Sequence, residues 1–319
     1  MHHFKFLAVS AIRLLAISAV GVTTAYAAAI VTPLTNGSPA SATALVNSLL
    51  NSNAKLSVVA GSASYTGAFT ASGTFTNGGT GPSGVGLNSG VVLTTGDARF
   101  LGSSAAFAGD DANKETDFTA GVGNSLTPNN SPGNSLFNPL TSFGTQNASI
   151  LSFSFIPQGT LLNLRLVFAS EDYNDLVNAG FPTDVFGVFV NGVNYARVPG
   201  TTTPISASSI NCGGPTSGPA PGSGPNCASY RDNAPFFGAI DSEIDGFTIP
   251  LSLFIPVNFG VVNTISIGIA DNLDFFGDSA LLLAQGSLAV PEPSTIALML
   301  AGVGMTGIAR RRRSAKVNA

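Results

Sequence analysis

The stretch Leu162–Gly192, LNLRLVFASEDYNDLVNAGFPTDVFGVFVNG, decides how this chain is read. Leu162, Leu164, Leu166 and Phe168 alternate with Asn163, Arg165, Val167 and Ala169, the period of a strand that turns one face to a core. A second strand is expected at Val185–Val190. Asn191-Gly192 then joins it to VNYARV, and Asn-Gly between extended runs marks a hairpin because both turn residues tolerate positive φ. Between the two strands, which read as the central ladder of the domain, lies a loop with Glu171, Asp172, Asp175 and Asp184.

Working outward, the flanking runs are short and extended: LSVVAG, YTGAFTASGTFT, GVVLTTGDA and ASILSFSFIP before the stretch, then GFTIPLSLFIPV, NTISIGIAD and DSALLLAQGSL after it. Ser38-Pro39 followed by ASATALVNSLL reads as one short helix, with Ser38 as N-cap, Pro39 at its first position and Leu45, Val46, Leu49 and Leu50 on its buried face. Residues 102–147 read as long loops with solvated acids. Strands spaced by turn chemistry with little helix predict an all-β domain, a jelly-roll-like two-sheet sandwich over residues 28–289. No internal repeat is visible.

The ends read differently. Residues 1–27 carry Lys5 and Arg13 around an apolar run and close on Ala25-Tyr26-Ala27, the pattern of a cleaved export signal. Near the other end, Pro291-Glu292-Pro293 precedes an apolar segment, Thr295–Ala309, and then Arg310, Arg311, Arg312 and Arg313. The segment is shorter than the roughly 20 residues of a usual span, yet the arginine block is a positive-inside signal. A single C-terminal transmembrane helix is expected within residues 290–313, with 314–319 as a cytoplasmic tail.

Between the ends, residues 28–290 hold sixteen Asp and Glu against six Lys and Arg, a net charge of −10. Nucleic acid is an unsuitable partner for such a surface; cations suit it. Cys212 and Cys227 are the only cysteines and stand in a Gly/Pro/Ser-rich stretch. In an oxidising compartment they are expected to pair, the alternative being catalytic or metal-binding thiols.

The acids form three groups: Glu171, Asp172, Asp175 and Asp184; Asp241, Glu243 and Asp245; and Asp271, Asp274 and Asp278. Hard cations such as calcium take six to eight oxygen ligands, commonly gathered from loops. The first and third groups adjoin the stronger strands and are the better candidates. Asp241-Ser-Glu243-Ile-Asp245-Gly246 opens like a calcium loop, but Ser252 stands where the closing Glu of an EF-hand belongs. Solvated turn and cap residues are the competing role for all of them, and catalysis is a third. The chain's two histidines, His2 and His3, precede the apolar core of the export signal, which leaves the mature chain no histidine base or histidine zinc site. A carboxylate pair could cleave a glycosidic bond, though no residue pattern selects one. Among the aromatics, Tyr173, Phe236 and Phe237 are the candidates for stacking on a sugar; most phenylalanines alternate as core.

Two resemblances add to this reading. The tail, with its Pro-Glu-Pro motif, apolar segment and basic end over residues 290–313, resembles the PEP-CTERM sorting signal. That resemblance implies recognition at Pro291, Glu292 and Pro293 by an exosortase, with an inner-membrane precursor and later delivery to the cell surface; the alternative is a plain anchor that is never cut. The domain is similar to the choice-of-anchor L module through SYTGAF, GVVLTTGDA, SFSFIP, LRLVFASEDYN, DVFGVFVNG, YRDN, DGFTIPL and IADNLDFFGDSALLL, in that order. It implies a β-rich surface module and no enzymatic activity. The expectation is therefore a non-enzymatic exported protein, calcium-stabilised, in an adhesion, biofilm or exopolysaccharide setting. A calcium-dependent lectin-like module is the alternative, and a glycosidase the second.

Overall fold

A computed structural model describes residues 29–101, 129–173, 176–177, 182–213, 224–233, 240, 242, 244–273, 275 and 277–291. The described strands are β1 (Ile30–Pro33), β2 (Leu56–Val58), β3 (Ser64–Thr66), β4 (Ser72–Thr76), β5 (Gly90–Thr94), β6 (Thr145–Pro157), β7 (Leu161–Ser170), β8 (Val185–Val190), β9 (Val193–Asn194), β10 (Tyr230–Asp232), β11 (Gly246–Thr248), β12 (Leu251–Pro256), β13 (Asn263–Asn272) and β14 (Ser279–Ala284). One helix, α1 (Pro39–Leu49), precedes β2. The Ser38 hydroxyl accepts the Ser41 amide at 3.2 Å, the cap its position predicts.

Two antiparallel sheets result. The first runs β1-β4-β5-β14-β7-β11-β10, with β12 also on β7; the second runs β2-β6-β13-β8-β9, with β3 also on β6. All of their ladders are antiparallel. Leu162, Leu164, Leu166 and Phe168 of β7, with Leu281 and Leu283 of β14, face Leu151, Phe153 and Phe155 of β6 and Ile265, Ile267 and Ile269 of β13 across the main core. Leu45, Val46 and Leu49 of α1 join it. The Phe168 and Phe186 rings stack at 5.0 Å across the sandwich.

The hairpin from β8 to β9 turns through Asn191 at φ 50° and Gly192 at φ 81°, the positive pair that Asn-Gly predicts. Three expectations are corrected. First, β7 and β8 do not share a ladder; they lie in opposite sheets, and the acidic loop crosses between them. Second, Val167 and Ala169 of β7 are buried as deeply as the leucines. Phe75, Val85, Leu87, Ile244 and Phe247 cover the first sheet's outer face in a second core, which removes the alternation from the last half of the strand. Third, GFTIPLSLFIPV is two strands broken at Ile249-Pro250, since proline donates no ladder hydrogen bond.

Residues 1–28 and 292–319, which hold the expected export signal, the Glu292-Pro293 part of the motif, the apolar segment and Arg310 to Arg313, lie outside the described residues. Among the described residues no helix is long and apolar enough to cross a membrane.

Candidate functional site

Antiparallel order brings six strand ends together at one pole of the sandwich. Glu171 and Asp172 follow β7, Asp184 precedes β8, Asp271 closes β13, Asp278 precedes β14, Thr95 and Gly96 follow β5, and Asn147 stands near the start of β6. The first and third acid groups of the sequence are thus one group in space. None of its described members is solvated: Glu171, Asp172, Asp184, Asp271 and Asp278 are all buried.

Local hydrogen bonds set their positions. The Ser170 hydroxyl accepts the Asp172 amide at 2.9 Å, and Asp172 Oδ2 accepts the Asp184 amide at 2.7 Å, tying the two ends of the crossing loop. Glu171 Oε2 accepts the Asp278 amide at 2.9 Å, while the Glu171 amide donates to the Asp278 carbonyl at 3.0 Å. Asp184 Oδ1 accepts the Asn272 amide at 3.1 Å. Asn147 Nδ2 donates to Asp271 Oδ2 at 2.6 Å. A side chain at Gly96 would collide with the Asp278 carboxylate, so only glycine fits beneath it.

Two carboxylates remain half-used. Asp184 is 3% exposed and Asp271 1%, yet Asp184 Oδ2 and Asp271 Oδ1 make no hydrogen bond, nor does the buried Asn147 Oδ1. Burial, then the Asp172 and Asp271 charges, hold the Asp184 carboxyl well above the usual range, with Ser279 and the Asn272 amide offsetting part of the rise. Burial also raises Asp271; hydrogen bonds from Asn147 and Thr95 oppose it, and the Asp278 and Asp172 charges add to it. Among the described residues, no three acid side chains converge as a preassembled metal-binding set.

The second acid group does not join this arrangement as far as it is described. Asp245 is buried, its charge helps to raise the Tyr230 hydroxyl, and its carbonyl accepts the Asn233 amide at 2.7 Å. Asp175, Asp241, Glu243 and Asp274 lie outside the described residues, as do Phe236 and Phe237. Tyr173, expected as a stacking surface, is fully buried against Phe168 and Tyr230, at ring separations of 6.1 and 4.7 Å. It is a core residue because the loop after β7 folds it back under Gly246.

Cys212 and Cys227 are joined by a disulfide across 15 residues. Beside the acids, on the β8 edge, a cleft of about 510 Å³ is lined by Thr183, Phe186, Ile205, Ser206, Asn226 and Asn272 among others. Asn272 Nδ2 donates to the Thr183 carbonyl at 3.0 Å, so the cleft wall and the acid cluster share a backbone. Asn147, Gly96, Thr95 and Asn272 escape a sequence reading. Gly96 is the one with a signal, the Gly-Asp that ends a buried strand.

Comparison with known proteins gives two matches. The PEP-CTERM protein-sorting motif matches residues 289–313, and the choice-of-anchor L domain matches residues 34–289. No curated protein and no solved structure matches the chain. The sorting motif marks the chain for export, for a membrane-anchored precursor processed by exosortase, and then for the cell surface. With the match running from the residue after β1 to the last residues of the sandwich, the chain belongs to the choice-of-anchor L domain family.

Proposed function

We propose that this protein is a non-enzymatic surface module whose sandwich is stabilised by calcium at its acidic pole, and that it acts in adhesion, biofilm or an exopolysaccharide-rich matrix. The observation that carries the cation is the Asp184–Asp271 pair, two buried carboxylates each with an oxygen that makes no hydrogen bond. A buried ionised carboxylate without compensation is costly, so such a pair either keeps protons or takes a cation. Calcium accepts irregular shells of carboxylate, amide and carbonyl oxygens. Asp184 Oδ2, Asp271 Oδ1 and Asn147 Oδ1 would supply the first three, with Asp172 and Asp278 drawn in as the ion binds.

The non-catalytic reading is supported by the burial of these acids, which keeps a substrate away from the raised carboxyls, and by the lack of any histidine beyond His2 and His3. The matrix role is supported by the sorting route. Calorimetric titration of the purified protein tests the cation: saturable calcium binding should vanish in the Asp184→Asn, Asp271→Asn double variant. No binding heat and no shift in melting temperature in the parent would end the proposal.

The cleft favours a second reading, a lectin-like module, because its hydroxyl and amide rim beside an apolar floor suits a neutral sugar. A glycan array run with calcium and with chelator tests it; no saturable glycan signal in either arm dismisses it.

A further inference from the structure

The described acids are gathered at one end of the molecule. All eight acids among the described residues, Asp97, Glu171, Asp172, Asp184, Asp232, Asp245, Asp271 and Asp278, lie at one pole, since each precedes or follows a strand there or, like Asp232, pairs at its edge. The ten-residue β13 runs about 30 Å from that pole to the other. At the far pole the loop between β12 and β13 exposes Phe259 (64%), Val261 (54%) and Val262 (56%). Val193 of the neighbouring hairpin and Ile156 at the end of β6 add to the patch. Asn191 Nδ2 donates to Asn263 Oδ1 at 2.8 Å and the Gly260 amide to the Pro157 carbonyl at 3.0 Å, so the three segments form one apolar tip.

The chain leaves the sandwich at this same pole. Ala289 pairs with Asn163 at the start of β7, and the Val290 amide donates to the Ala54 carbonyl at 2.8 Å. The Val290 side chain sits so close to Gly159 that a Cβ there would collide with it. Gly159 belongs to the turn between β6 and β7, whose Pro157 and Thr160 carbonyls accept the Gly260 and Val257 amides at 3.0 Å. After Pro291 only Glu292, Pro293 and Ser294 precede the apolar segment that opens at Thr295. Three extended residues and their flanking bonds reach about 14 Å. In the membrane-anchored precursor the far pole must therefore lie against the bilayer.

We propose that the Phe259–Val262 loop is a membrane-contact tip: in the uncut precursor it seats Phe259, Val261 and Val262 in the lipid interface, and the module stands end-on with its acids outward. Three features agree on lipid as the occupant. The tether is too short to let the pole leave the surface, Phe259, Val261 and Val262 are contiguous and more exposed than Phe143, Leu273 and Phe275 at the acidic pole, and no described acid is near the tip to meet anionic headgroups. The tip would also hold the Pro291 motif at a fixed height above the membrane, where a membrane-embedded protease can reach it. The inference rests on the anchored precursor and not on calcium.

The chain contains no tryptophan, so a single introduced one reports its own depth. Full-length uncut protein carrying Phe259→Trp or Val262→Trp would be reconstituted in phosphatidylethanolamine–phosphatidylglycerol vesicles, with Phe143→Trp as the opposite-pole control; Phe143 is 49% exposed. Brominated acyl chains should quench the two tip variants several-fold more than the control and place them about 5–10 Å into the headgroup–acyl boundary. Flotation after an alkaline wash reports whether the tail is embedded. Protein that floats with equal quenching at both poles overturns the tip alone. A blue-shifted, unquenched tip also overturns it, because the loop would then be covered by protein such as a second copy. Protein that does not float overturns the anchored precursor and the tip with it.

Discussion

Raising pH should lower the stability of the cation-free protein and raise that of the calcium-loaded protein, and this opposite sign is the sharpest consequence of the acidic pole. Burial and neighbouring acids hold the Asp184 and Asp271 carboxyls above the usual range. An acid raised in the folded state binds its proton more tightly folded than unfolded. Its contribution is full below the unfolded value, about 4, and is lost as pH climbs through the folded value. In chelator the melting temperature should therefore fall from about pH 4 towards neutrality. A bound cation reverses the sign, because it holds the same carboxylates ionised only in the folded state.

The size follows from mass action. Calcium sites of extracellular modules bind with Kd of about 10⁻⁴–10⁻³ M, so about 10 mM calcium exceeds Kd roughly 10- to 100-fold and stabilises by about 1.4–2.7 kcal/mol. At about 2–4 °C per kcal/mol for a large single domain, the melting temperature should rise by about 3–11 °C near neutral pH. Calorimetric melts between pH 4 and 7, in chelator and in calcium, read both slopes. The Asp184→Asn, Asp271→Asn variant should lose both, and its cation-free form should melt above the parent at pH 7 because two buried like charges are gone. Parallel slopes with and without calcium would refute the reasoning.

Further outcomes follow from named contacts. Gly96→Ala drives a methyl into the Asp278 carboxylate and should cost about 1–3 kcal/mol while weakening the calcium response; an unchanged melt in both buffers contradicts it. Reducing the Cys212–Cys227 bond, which closes a separation of 15 residues, should cost about 3 kcal/mol, seen as a lower melting temperature in reductant. Leu273, just after Asn272, holds a left-handed backbone at φ 88° with half its side chain exposed. Leu273→Asn should therefore stabilise by about 1 kcal/mol, and a lower melting temperature counts against strain there. Replacing Pro291-Glu292-Pro293 by alanines should leave uncut, membrane-retained protein in the native host; unaltered release would show that the motif is not what is read.

Short-range physics made much of the fold legible in the sequence. Alternation found the second half of β6 and the first halves of β7 and β13, where one face meets the main core and the other is wet; the start of β6 and the end of β13 are covered on both faces by a cluster around Phe137 and Phe189. Ser38-Pro39 located the only described α-helix through its cap, and Asn191-Gly192 located its turn through the φ angles those residues tolerate. Alternation failed in the last half of β7, where a second core covers the other face with residues drawn from 75–87 and 244–247. It also could not show that β7 and β8 part to opposite sheets, since both read as half-buried strands whichever sheet receives them.

The acids show the same division. By itself the sequence determined that carboxylates gather at strand ends, that the chain has no histidine beyond His2 and His3, and that the tail carries a sorting motif, because composition and local pattern suffice for each. Only the tertiary structure decided that the first and third acid groups are one, since Glu171 and Asp278 stand 107 residues apart along the chain and Asn147 and Asp271 stand 124 apart. It also decided that these side chains are buried instead of solvated, and that Tyr173 is core. Burial depends on which distant segments cover a loop, and in an antiparallel sandwich that is set by strand order across both sheets, a property no local stretch contains.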